Sequence, residues 1–272
     1  MRTPVGMVAV TRMPLPLITI NLGFQEARRT GRRETRRMHI EPPGGVAIMA
    51  VAAHPDDIES WCAGTLVRAI DAGAIVRLLL VTSGDKGSSN PQDTSAHVAE
   101  HREREALEAA RRLGLADIAF LRHPDGEVED SRILRSEVVA HIRRWRPAVV
   151  FTHDPEHASP LYLAHRDHRI VGRTVLDAIY PLARDHLAFP EHAQEGLMPH
   201  RVREIWLFSS TRADAYVDIS AGFERKIMAR LAHQSQTSDP EALRRGWRER
   251  AARIGAEAGL PMAEAFVVLH LD

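Results

Sequence analysis

The chain has a single cysteine, Cys62, so no disulfide can close within it, and a reducing cytoplasm is the expected compartment. Net charge is missing as well. The 36 Lys and Arg residues balance 36 Asp and Glu, leaving no global field to draw in nucleic acid or an anionic membrane. No segment approaches the roughly 20 apolar residues of a membrane span. Lysine is almost absent, Lys86 and Lys226 being the only two, which reads as the codon preference of a GC-rich genome. No Gly-x-Gly-x-x-Gly follows the first strand-like run, which excludes the dinucleotide fingerprint of a Rossmann oxidoreductase. Gly84-x-x-Gly87 lacks both the spacing and the Gly-Lys-Ser/Thr of a phosphate-binding P-loop, so the segment from Ser83 to Asn90 reads as a solvated loop near a site.

What is present suffices for one full core: 272 residues, 44% of them hydrophobic. Residues 1–38 stand apart, with an apolar stretch broken by prolines and followed by an arginine-rich one. They are expected to be a poorly ordered extension, or to precede a true start at Met38. Residues 39–272 are expected to form a single domain.

Within that domain strand-like and helix-like patterns alternate. The apolar run 46–53 reads as a buried parallel strand, and 75–82 as a second. Shorter strands are expected at 118–121 and 148–153. Between them lie helical patterns at 65–72, 96–113, 132–145 and 168–179, the first two closed by Gly73 and Gly114. This order predicts an α/β fold: a Rossmann-like, mostly parallel sheet flanked by helices. The C-terminal part is smaller and mixed, with strands at 205–209, 216–219 and 265–269 and helices at 221–233 and 240–258.

Ligand sites of such sheets form beyond the carboxyl ends of the strands. At the end of the first strand stands His54-Pro55-Asp56-Asp57, where the proline turns an imidazole and two carboxylates out of the sheet. A second cluster, His165-Arg166-Asp167-His168, precedes a helix, where an i, i+3 pair can face one site. His54, Asp57 and His168 together offer two imidazoles and a carboxylate, a set suited to Zn²⁺ with a position open for water. His153, at a strand end, reads as a pocket-lining residue, His97 and His101 as a solvated helix face, and Cys62 as a buried apolar residue.

The segment from Ala53 to Glu59, followed by Gly64-Thr65-Leu66, resembles the signature of the PIG-L/LmbE-like zinc deacetylases. Further blocks match in order. They are Thr82 to Gly87, Arg102-x-x-Glu105 with Leu113-Gly114, Asp125-Gly126-Glu127, His165-x-Asp167-His168, and Lys226 with His233-x-Ser235-Gln236. The resemblance implies that His54, Asp57 and His168 bind zinc and that Asp56 is the general base. It makes His165 the partner of the developing oxyanion and Arg102 and Asp125 substrate contacts. Asp167 is expected to orient a neighbouring imidazole.

The implied reaction is hydrolysis of an N-acetyl amide on an N-acetylglucosamine-type sugar or N-acylated glycoconjugate. The nearest rivals are an amidase acting on a thiol conjugate or another N-acyl metabolite, and a non-catalytic sugar- or metal-binding relative. Neither nucleic acid nor membrane is an expected partner, whereas self-association into a homo-oligomer is. Departures from the family pattern are Arg166 in place of a proline, a glycine-free loop 155–164, and Leu163 where some relatives carry an aromatic, with Tyr162 beside it.

Overall fold

The computed structural model describes residues 38–156 and 165–271. The extension before Met38, and His157, Tyr162 and Leu163 in the loop before His165, lie outside the described residues.

Among the described residues eight strands form one sheet in the order β1-β7-β8-β6-β5-β2-β3-β4. They are β1 (Met38–His39), β2 (Ala47–Ala52), β3 (Ile75–Thr82), β4 (Asp117–His123), β5 (Val149–His153), β6 (Glu204–Phe208), β7 (Ala215–Asp218) and β8 (Ala263–His270). Among the described residues only β8 runs antiparallel to its neighbours, β6 and β7. The mixed C-terminal part therefore continues the same sheet and does not build a second one. From β2 the chain moves outward to β3 and β4, then returns to the other side of β2 as β5. That reversal leaves a crevice between the ends of β2 and β5, the place where such sheets bind ligands.

The apolar runs become strands because helices cover both faces of the sheet. Along β2, Ile48, Ala50 and Ala52 join the core on one face. Met49 and Val51 join the core on the other. Period-two alternation thus shows as two buried layers and not as one wet and one dry face. The first layer packs under α2 (Ala63–Asp71), α3 (Ser95–Leu113) and α6 (Phe223–Arg230), the second under α4 (Arg132–Trp145) and α5 (Arg166–Asp177). Each large side chain buried there, such as Phe151, contributes about 1.5–3 kcal/mol.

Local signals set the helix ends. The Thr94 side chain accepts from His97 N at the start of α3, and Gly114 ends that helix in the left-handed region (φ 85°). Ser131 caps α4 by accepting from Leu134 N, and Asp239 caps α7 (Pro240–Ala256). The helix expected at 65–72 is α2, and a short helix outside the expected elements, α1 (Asp57–Trp61), precedes it, the two being separated at Cys62 (φ −140°). The cause is distant in sequence: Glu264 on β8 accepts hydrogen bonds from Gly64 N (3.0 Å), Thr65 N (2.8 Å) and Thr65 Oγ1 (2.7 Å), giving α2 a cap of its own. Cys62 is buried between them, as an apolar residue would be. Among the described residues no helix is long and apolar enough to cross a membrane.

Candidate metal and catalytic site

The loops that follow β2, β3, β4 and β5 converge at one edge of the sheet. His54, Asp56, Asp57, Arg102, Asp125, His165, His168 and Gln236 line a cavity of about 270 Å³ there. The two sequence clusters, more than a hundred residues apart, therefore face each other. Close packing of α5 on β5 is what brings His168 in. A Cβ on Gly172 would lie 2.5 Å from the His153 carbonyl oxygen, so glycine is required at that crossing.

His54 Nδ1 lies 3.2 Å from His168 Nε2, and the Asp57 carboxylate is 3.1 Å from His168 Nε2 and 3.5 Å from His54 Nδ1. A tetrahedral zinc with bonds of about 2.0–2.1 Å would separate its ligand atoms by roughly 3.3 Å. The three side chains fit such an ion. Among the described residues, His54-His165-His168, Asp57-His153-His168 and His54-Asp125-Asp167 each bring ligand atoms within 4.8 Å of one another. Three carboxylates crowd this position and favour positive charge there. Burial lowers the pKa of His54, but Asp125, Asp167 and Asp57 outweigh it and hold the imidazole well above its ordinary value. For Asp57, burial is outweighed by the His168 and His153 imidazoles, which keep its carboxyl well below the usual range.

The far side of His54 is held by acids. Its Nε2 is 3.0 Å from Asp125 Oδ1 and 3.4 Å from Asp167 Oδ2, and its Nδ1 faces Asp57 and His168. Asp167, itself fully buried, accepts from Gly126 N at 2.6 Å. It thus reaches the imidazole of the other cluster, 113 positions away by numbering and across the crevice, and not simply the next histidine in its own motif. Arg166, at the position where relatives have proline, donates to the Val128 carbonyl oxygen at 2.5 Å.

Asp56 is set apart from this group. Its φ of 87° puts it in the left-handed region, a strain of about 1–3 kcal/mol for a residue with a side chain. Its carboxylate faces Arg102 Nη2 at 3.6 Å and Arg230 Nη2 at 3.4 Å. Burial raises its pKa, and the two guanidinium groups restrain the rise. Arg102 is itself buried and donates to Pro55 O (2.8 Å) and Gly84 O (3.0 Å). A Cβ at Gly84 or Gly87 would come within 2.1 or 2.3 Å of Arg102 Nη1, which explains the glycines of the Ser83–Asn90 loop. Arg102 lines the cavity, yet its polar contacts fasten the two loops that carry the site.

His165 Nδ1 accepts from Asp167 N at 3.2 Å, so a neutral ring carries its proton on Nε2. Burial and the neighbouring His54 push this imidazole below its ordinary pKa. His153 stands behind the cavity wall: its ring stacks on His168 at 4.1 Å, and its Nε2 accepts from Ala53 N at 3.2 Å. Burial, then the charge of His168, pushes it down to about 4. His233 is buried, with Nε2 3.7 Å from Glu59 Oε1. Arg230 escaped the sequence reading. Its one available signal was the i, i+4 spacing from Lys226, which puts both on the buried side of α6.

Residues 49–179 match the PIG-L family, described as GlcNAc-PI de-N-acetylase. A diacetylchitobiose deacetylase of Thermococcus kodakarensis is 30% identical over 193 residues, covering 70% of this chain and 69% of that protein. A 1D-myo-inositol 2-acetamido-2-deoxy-alpha-D-glucopyranoside deacetylase of Kineococcus radiotolerans is 31% identical over 58% of this chain and 50% of its own length. Among solved structures, an N,N'-diacetylchitobiose deacetylase from Pyrococcus horikoshii superposes with a TM-score of 0.77 at 26% identity, covering 82% of this chain and 84% of that one. The matched span holds both clusters, and the chain belongs to the PIG-L family of deacetylases.

Proposed function

We propose that the protein is a zinc-dependent deacetylase that hydrolyses the N-acetyl group of an N-acetylglucosamine-type sugar. The observation that carries this reading is a division of labour within four residues. His54 and Asp57 converge with His168 at 3.1–3.5 Å, while Asp56 between them turns away to face two guanidinium groups. A site that only bound a cation would have no use for a free carboxylate beside it. The names of the relatives support the acetylated sugar as substrate.

Amide hydrolysis requires an activated water, a sink for the oxyanion and a proton for the leaving amine. A zinc ion held by His54, Asp57 and His168 supplies Lewis acidity to the water and to the acyl oxygen. Asp56 takes the water's proton as general base, and the same carboxyl can then return it to the departing nitrogen. His165 donates from Nε2 to the oxyanion, a contribution of roughly 3–4 kcal/mol for one such donor. Arg102 and Asp125 line the cavity as substrate contacts, Arg102 also fastening the loops, and Asp167 positions the His54 ring. A reducing cytoplasm, a small N-acylated sugar as substrate and self-association into a homo-oligomer complete the reading.

The test is metal analysis of the purified protein combined with an amine-release screen over N-acetylated sugars. One zinc per chain with release of acetate is the expected result. Full zinc occupancy without acetate release from any of them would favour a binding relative without catalysis.

A further inference from the structure

Arg230 on α6 is buried, with its guanidinium over the Trp247 ring of α7, 5.7 Å from the ring centre. Its hydrogen bonds go to one turn. Nη1 donates to Thr237 Oγ1 at 2.7 Å, and Nη2 to the Gln236 carbonyl oxygen at 3.0 Å. That turn is fastened in its own right. The Glu105 carboxylate on α3 accepts from Ser235 N and Oγ, each at 2.7 Å, and Gln236 Nε2 donates to Gly87 O at 2.8 Å. The guanidinium therefore cannot advance into the cavity without breaking bonds to a segment that is itself held.

Asp56 meets this arrangement at a particular distance. Its Oδ2 is 3.4 Å from Arg230 Nη2, and its Oδ1 is 3.6 Å from Arg102 Nη2. Charge-assisted hydrogen bonds between such groups run to about 2.7–2.9 Å. Both cations stand beyond that range because their N–H groups are directed elsewhere: Arg102 to the Pro55 and Gly84 carbonyls, Arg230 to the turn. Coulomb attraction falls only as the inverse of distance, so it still acts on the carboxylate there. The lone pairs of Asp56 stay open. A general base needs both conditions, a fixed position and a lone pair that no donor has taken. Arg102 also fastens the loops after β2 and β3, whereas among the described residues Arg230 meets the loop after β2 at Asp56.

We propose that Arg230 is a positioning residue for the general base: it holds the Asp56 carboxylate from the Oδ2 side while leaving its lone pairs free, at a distance set by the turn at 234–237. The inference rests on the deacetylase reading and adds a residue of α6 to the reaction.

The test is a double-mutant cycle on the zinc-loaded full chain, with an N-acetylated sugar that the parent hydrolyses. Arg230→Met is expected to lower kcat at least about tenfold, with KM changed less than about threefold and zinc still stoichiometric. In the Asp56→Asn background the same change should lower the residual kcat less than about twofold, because the residue it acts through is gone. Equal losses in the two backgrounds, or a loss confined to KM, overturn the proposal. If Arg230→Met does not fold, Thr237→Val decides, since it frees one N–H of the guanidinium without touching Asp56. A kcat lowered about 2- to 10-fold, the loss of one hydrogen bond, then supports the proposal, and the parent kcat overturns it. If the parent hydrolyses no acetylated sugar, the deacetylase reading fails separately, and the same cycle is read as denaturant midpoints. Coupled losses support the hold of Arg230 on Asp56, and additive losses overturn it.

Discussion

Asp125 Oδ1 lies 3.0 Å from His54 Nε2, on the side of the ring opposite Asp57 and His168, which face Nδ1. The family resemblance implies that Asp125 contacts substrate, and its carboxylate also faces the His54 ring, while its backbone N–H is held by Asp85 Oδ1 at 2.8 Å. Replacing such a partner costs about 10–100-fold in metal affinity or activity. Asp125→Ala is therefore expected to raise the zinc Kd by about that factor, read by competition with a chelator. An unchanged Kd would leave Asp125 a role in substrate binding alone.

Asp56→Asn should retain stoichiometric zinc and lose about 10²–10⁴ in kcat. Asparagine tolerates the left-handed backbone at φ 87°, so the fold is expected to survive the change. Metal analysis and turnover on the same preparation check both halves, and turnover at the parent rate would remove Asp56 as the base.

Gly84→Ala sets a methyl group 2.1 Å from Arg102 Nη1 at a φ of +65°. Either the guanidinium moves off the Pro55 and Gly84 carbonyls or the loop shifts. The backbone alone costs about 1–2 kcal/mol. Thermal denaturation should show a lowered Tm, and steady-state kinetics a lowered kcat, because the displaced Arg102 also faces Asp56.

The buried Lys226–Glu264 pair, 2.6 Å apart, anchors the start of α2. Glu264→Ala leaves an unpaired buried ammonium and strips α2 of its cap, a loss of about 3–5 kcal/mol. Adding Lys226→Met removes the orphan charge and should recover part of that loss. Denaturant midpoints of the parent, single and double variants would reveal an absence of recovery.

Asp130 accepts from Arg135 at 2.7 Å and from Thr174 Oγ1 at 3.1 Å, joining α4 to α5. The Arg135 bonds are the larger cause holding its carboxyl below the ordinary value. A group depressed in the folded state stabilises above its unfolded pKa of about 3.9, and that contribution fades as pH falls through the folded value. The stability gap between the parent and Asp130→Asn is thus expected to be full at about pH 5 and to narrow by about pH 3. Denaturant midpoints across that range test the sign.

Much of this molecule was legible in residue order. The strand at Ile75–Thr82 and the helix at Arg132–Trp145 match their expected bounds, because buried apolar runs, caps and breakers act over a few residues. The two polar clusters were legible for the same reason: each follows or precedes an element that its own neighbourhood defines. The convergence of His54 and Asp57 with His168 needed only the rule that parallel strands end on one side.

Tertiary structure alone decided the rest. The break at Cys62 depends on Glu264, 200 residues from Gly64. Asp56 is bracketed by guanidinium groups from α3 and α6, and His54 is faced by carboxylates from the loop beyond β4 and the first turn of α5. No periodicity records such contacts. They arise when packing closes the crevice, and the burial that follows makes each unmatched charge costly enough to select its partner.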